Sequence, residues 1–213
     1  MGIPILIIGK SGSGKSSSLR NFNEDEIGVI NVSRKPMPFK KKFEAAIETD
    51  SYEDIKTTLE KTRLQTIIID DAGYLIVNMF MSGHSSAGSG NAVFSFYNKV
   101  ADSFWSLIEF IKRLPPEKIV YVIMHEDRND IGDIKPKTIG KLLDEKVCIE
   151  GMFTICLRSC KDQNGFFFQT QSDGFSPAKT PFGMFTDTLI ANDLKIVNET
   201  IKSFYNIGEI DNG

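Results

Sequence analysis

Gly9-Lys10-Ser11-Gly12-Ser13-Gly14-Lys15-Ser16 fits GxxxxGK[ST] at every fixed position and follows directly on the apolar run Ile3-Pro4-Ile5-Leu6-Ile7-Ile8. A short, continuous, Ile-rich run bounded by glycines reads as a central parallel strand buried on both faces. The residues after the motif read as a short helix over 16–22. Strand, glycine loop and helix in that order give the pattern its meaning. The glycines let the backbone curl so that N–H groups converge on an anion, and the helix presents its positive end to the same point. Lys15 adds a point charge for β- and γ-phosphates, the Ser16 hydroxyl is a ligand for Mg2+, and Ser17 is a contact for an α-phosphate. Gly9, Lys10, Ser11, Gly12, Ser13, Gly14, Lys15, Ser16 and Ser17 are thus the expected nucleotide-binding residues.

Thr66-Ile67-Ile68-Ile69-Asp70-Asp71 supplies a second half to this chemistry. A buried strand ending in two acids predicts Asp70 as a Mg2+ ligand and Asp71 as the group that orients or deprotonates an attacking water. His125 ends another apolar strand, Ile119-Val120-Tyr121-Val122-Ile123-Met124. A polar residue there points into the ligand crevice of a parallel sheet, where it can sense a γ-phosphate. Asp70-Asp71-Ala72-Gly73 also fits the short DxxG of GTPases, but the chain has no NKxD-like guanine reader. Lys10 stands where ParA/MinD-type P-loops carry an extra lysine, but Ser11-Gly12 follows it rather than Gly-Gly. An Arg-rich kinase lid is not evident, since 126–141 holds only Arg128. ATP with Mg2+ is the expected ligand.

Further strands are expected over 27–32, 152–157 and 166–170, the last two as a hairpin around Asn164-Gly165. Helices are expected over 52–63, with Ile55 and Leu59 inward, over 92–114 up to Pro115-Pro116, and over 187–204. The polar segment 82–90 reads as a mobile loop. Strands alternating with helices predict an α/β fold with a mostly parallel central sheet flanked by helices.

Hydrophobic residues make up 41% and charged residues 25% of the 213 residues, enough for a real core. A formal charge of −3 excludes a strongly basic nucleic-acid binder but leaves room for a local basic groove. No apolar run approaches the ~20 residues needed to span a bilayer, so no membrane partner is expected. The N-terminus lacks the features of a signal peptide or a myristoylation site. Cys148, Cys156 and Cys160 form no CxxC pair and read as small buried or half-buried residues of a reducing compartment.

Ile30-Asn31-Val32-Ser33-Arg34-Lys35-Pro36-Met37-Pro38-Phe39, Ile69-Asp70-Asp71-Ala72-Gly73-Tyr74-Leu75, Lys137-Thr138-Ile139-Gly140-Lys141, Ile149-Glu150-Gly151-Met152-Phe153 and Ala178-Lys179-Thr180-Pro181-Phe182-Gly183-Met184-Phe185 make the chain resemble the AAA/RecA-like ATP-binding proteins of tailed phages of Gram-positive bacteria. The resemblance runs to Asn192-Asp193-Leu194. It implies one RecA-like P-loop NTPase domain over 1–213, an ATPase acting in phage replication, recombination or single-strand annealing, and the host cytoplasm as its setting. In such cores two loops face DNA. Here they are 72–91, with Tyr74 and Phe80, and 126–141, with Arg128, Lys135, Lys137 and Lys141. Flexible loops with cations and aromatics suit single-stranded DNA. Arg34, Lys35, Lys40, Lys41 and Lys42 form a run without an acid that could track phosphates. The resemblance also implies a homo-oligomer, in which Lys179, or less favourably Lys141, reaches a neighbour's γ-phosphate. The alternative is a nucleotide-dependent switch that engages a phage or host protein, with slow hydrolysis as its timer.

Overall fold

In the computed structural model, residues 1–139 and 147–208 are described. The apolar run near the N-terminus forms β1 (Ile3–Gly9), buried along nearly its whole length. The other strands are β2 (Gly28–Asn31), β3 (Ala45–Ile47), β4 (Thr66–Asp70), β5 (Ile119–Arg128), β6 (Ile134–Pro136), β7 (Ile155–Asp162), β8 (Gly165–Gln169) and β9 (Leu189–Ala191). Among the described residues the α-helices are α1 (Tyr52–Lys61), α2 (Gly73–Gly83), α3 (Asn91–Arg113) and α4 (Leu194–Phe204). The sheet runs β3-β2-β4-β5-β1-β7-β8-β9, with β6 paired to β5. Pairing is parallel from β3 to β7 and antiparallel from β7 to β9. This is the expected mixed α/β fold with a mostly parallel sheet flanked by helices.

Side-chain alternation assigns the two faces. Leu6 and Ile8 of β1, Ile67 and Ile69 of β4, and Val120, Val122 and Met124 of β5 pack into one core with α1, α2 and α3. Ile5 and Ile7, Ile68, and Tyr121 and Ile123 pack into the other with Leu19 and α4. A period of two on a sheet covered on both sides explains why these strands read as unbroken apolar runs. Ser51 caps α1 by accepting the Asp54 N–H at 3.2 Å. Leu114 ends α3 in extended backbone before Pro115.

Several boundaries differ from the sequence expectation. The first helix, expected over 16–22, is a 3-10 helix over Ser16–Asn21. The strand expected at 152–157 starts later, after a 3-10 turn at Glu150–Met152, and runs to Asp162. Much of 72–91, expected as an open loop, is α2, because Leu75 and Ile76 are buried against the sheet. His84–Ser86 then continue as a 3-10 turn. The sensor strand runs on past Met124 to Arg128 and pairs with β6, so 126–136 is a hairpin rather than a loop. Its tip is tied by Asn129 Oδ1, which accepts from Ile131 N at 3.2 Å and Asp133 N at 2.8 Å. The helix expected over 187–204 is two elements. Leu189 lies exposed in β9, and Asp193 caps α4 through the Lys195 N–H at 3.0 Å. Cys148 is exposed, contrary to expectation, while Cys156 is buried. No described helix is long and apolar enough to cross a membrane.

Candidate functional site

Strand register lines up the chemistry. Gly9, the last residue of β1, stands opposite His125 of β5 on one side and Ser159 of β7 on the other. Asn31 of β2 stands opposite Asp70 of β4. The carboxyl ends of five adjacent strands therefore meet at one edge, where parallel sheets place their ligands.

Residues 10–15 curl back over this edge. Gly12 and Gly14 have φ of 74° and 98°, a region that disfavours side chains. A Cβ on Gly14 would also lie 2.9 Å from Phe166 and 3.0 Å from Asn192 Oδ1. Gly9 has no room either, since a Cβ there would sit 2.6 Å from the Ser159 carbonyl oxygen. Ser159 Oγ donates to the Ser13 carbonyl at 2.8 Å, and Asn192 Nδ2 donates to Ser159 Oγ at 3.3 Å. The loop is thus fastened from beneath by β7 and by the residue after β9. Ser13 Oγ and Asn192 Oδ1 are buried without a hydrogen-bond partner beside it.

Lys15 is buried and donates to the carbonyls of Gly9 and Lys10, each at 2.8 Å. Burial lowers its pKa, against the attraction of Asp71, Asp70 and Glu126. Ser16 Oγ donates to Asp70 Oδ1 at 2.9 Å. Burial and the neighbouring Asp71 carboxylate push Asp70 up to about 6.

Asp71 occupies the left-handed region at φ 57°, which Asp tolerates better than most residues. Its carboxylate meets two partners. His125 Nε2 lies 3.5 Å from Oδ1 and Lys35 Nζ 3.4 Å from Oδ2. Burial alone would raise this carboxyl, but hydrogen bonds from His125 and Ser33 and the Lys35 charge outweigh it and hold Asp71 at about 2. His125 Nδ1 is 3.5 Å from Lys15 Nζ. A cavity of about 760 Å³ is lined by Lys10, Gly14, Lys15, Ser16, Ser17, Asp71 and His125, together with Lys35 and Lys137.

The structure therefore brings together the glycine loop, Lys15, Ser16, Ser17, Asp70, Asp71 and His125. Lys179 is elsewhere. It forms an isolated bridge with Cys156, three residues before Ser159 along β7, which is about 10 Å from the carboxyl edge. It lies in none of the named strands. Lys141 lies outside the described residues.

Sequence reading missed a buried ion pair beside the loop. Arg158 of β7 holds Glu126 of β5 in a bidentate grip, Nε–Oε2 2.8 Å and Nη2–Oε1 3.1 Å, across the end of β1. The signal was present, since each residue is a charge at the end of an apolar run. Nothing in either run reveals the pairing, which depends on β5 and β7 flanking β1.

A family model described as an AAA domain matches residues 1–182. No curated protein matches the chain.

Proposed function

The chain belongs to the AAA domain family, and from that premise we propose that it is a Mg2+-dependent ATPase of the RecA-like type, built as a single domain over 1–213. The observation that carries this reading is the line Lys15–His125–Asp71, with contacts of 3.5 Å, beside the Ser16–Asp70 pair at 2.9 Å. The interposition of β5 between the glycine-loop strand β1 and the acid strand β4 supports the RecA-like assignment.

Ser16 Oγ and Asp70 supply two adjacent hard oxygen donors, which fit Mg2+ completed by phosphate oxygens and water. Bound there, Mg2+ would neutralise charge on the β- and γ-phosphates. Gly9 to Ser17 cradle the phosphates with backbone N–H groups. Lys15 exchanges its loop carbonyls for phosphate oxygens. Asp71, ionised at neutral pH, orients the attacking water, and His125 reports the γ-phosphate to it.

The biological setting we propose is phage DNA replication, recombination or single-strand annealing, with the protein acting as an oligomer on single-stranded DNA. Exposed Phe94 and Met81 near the α2–α3 turn, and Arg128 on the β5–β6 hairpin, support a surface for that partner. Lys179 remains the candidate for contact with a neighbouring subunit's γ-phosphate. The test is ATP hydrolysis measured against protein concentration with and without single-stranded DNA, in the parent and in Asp71→Asn. Asn also tolerates the left-handed backbone, so the loop survives. We expect the rate per chain to rise with concentration and with DNA, and to fall at least tenfold in Asp71→Asn with nucleotide binding retained. An unchanged Asp71→Asn rate removes that residue's role. A parent rate indifferent to DNA favours the nucleotide-dependent switch instead.

A further inference from the structure

We propose that Lys35 is a catalytic residue of this site, a cation supplied by the same chain that meets the γ-phosphate as its bond to ADP breaks. The inference rests on the ATPase reading above.

Lys15, His125, Asp71 and Lys35 form one continuous line, with successive contacts of 3.5, 3.5 and 3.4 Å. All four line the same cavity. Lys15 stands at the glycine-loop end and Lys35 at the opposite end. A terminal phosphate held by Lys15, within reach of Asp71 and His125, therefore faces Lys35.

The local backbone is built to hold Lys35 there. Asn31 is buried at the end of β2, opposite Asp70, and its Nδ2 donates to the Lys35 carbonyl at 2.7 Å. Arg34, the residue before, has φ of 55°, a left-handed conformation rare for a long side chain. Asp50 pins it at 3.1 Å, and Asp50 is itself held by Asn78 of α2 at 2.8 Å. The Lys35 ammonium lies over the Tyr74 ring, 4.8 Å from its centroid. A lysine that only decorated a solvated basic run would need none of these supports. The run is not one free surface in any case, since Lys41 turns inward to the carbonyls of Arg20 and Phe22.

In the step, the oxygen of water bonds to the γ-phosphorus while the bond from that phosphorus to the β–γ bridging oxygen breaks. The bridging oxygen keeps the electron pair and leaves with ADP. The proton lost by water passes through Asp71 to the inorganic phosphate. Lys35 transfers no proton. It moves from Asp71 to the γ-oxygens, releasing the carboxylate to the water and neutralising the charge that spreads over the phosphoryl group.

The experiment compares the parent with Lys35→Met and Lys35→Arg in Mg·ATP hydrolysis, and in binding of a non-hydrolysable ATP analogue. Lys35→Met is expected to lose about a hundredfold or more in kcat, with analogue affinity within about threefold of the parent, and Lys35→Arg is expected to recover part of the rate. A Lys35→Met rate within threefold of the parent overturns the proposal, as does a loss of analogue affinity that matches the loss of rate. Mixing Lys35→Met with Lys15→Ala decides between one chain and two. Regained activity in the mixture overturns supply by the same chain, and persistent inactivity supports it. A parent that binds ATP but never hydrolyses it defeats the ATPase reading, and this inference with it. A parent that hydrolyses ATP while Lys35→Met does so equally well defeats this inference alone.

Discussion

Asp70 sits 6% exposed, one residue from a second carboxylate and 2.9 Å from the Ser16 hydroxyl. Its folded pKa of about 6 lies above the ordinary carboxylate value, so ionising it costs stability in the nucleotide-free protein. The sign is therefore fixed. The contribution of neutral Asp70 is full below about 4, where the unfolded group is also protonated, and is lost as pH rises through about 6. Asp71 acts in a separate window. Its pKa of about 2 gives stability that is present above about 4 and lost as pH falls through about 2. Denaturation of the metal-free and nucleotide-free protein across pH 4–7 should show the parent losing about 2 kcal/mol relative to Asp70→Asn. A difference between the two proteins that stays flat across that range contradicts the assignment.

These residues also divide by how legible they were. Lys15, Ser16 and Asp70 were readable because their chemistry is written within a few neighbouring positions. Lys35 was visible only as one charge in a basic run. Its role depends on Asn31 beside Asp70 and on the backbone turn at Arg34, which are tertiary facts.

At the scale of elements, the joint between β5 and β7 is where the site meets the fold. Glu126 and Arg158 are paired across the end of β1, their side chains 2% and 15% exposed. Removing one partner leaves a buried charge uncompensated, which costs about 3–5 kcal/mol, whereas removing both together costs much less. Urea denaturation should therefore place Arg158→Ala far below the parent and Arg158→Met with Glu126→Gln close to it. Equal losses in the two would mean that packing, not charge pairing, dominates the joint. The periodic elements α1 and α3 were legible because one face of each is buried at helical spacing. The stretch 72–91 was misread because its polar second half hid an apolar first half that folds onto the sheet as α2. The segment 187–204 was misread because β9, with its exposed Leu189, takes strand form only by pairing with β8. The hairpin after Met124 was missed for the same reason, since β6 exists through its pairing with β5.

For the molecule as a whole, one sheet covered on both faces delivers the ends of β2, β4, β5, β1 and β7 to a single edge. Two apolar cores hold that edge in register, and α4 is tied through Asn198 Oδ1, which accepts from Thr66 at 3.2 Å and Tyr121 at 3.1 Å. The central claim is that this edge binds the phosphates of ATP through Lys15. Its most direct test is a calorimetric titration of Mg·ATP into the parent and into Lys15→Ala, with the fold of both checked by circular dichroism. One site per chain in the parent, weakened about a hundredfold or more in a Lys15→Ala protein of unchanged fold, is the result predicted. Equal affinity in the two proteins would contradict it.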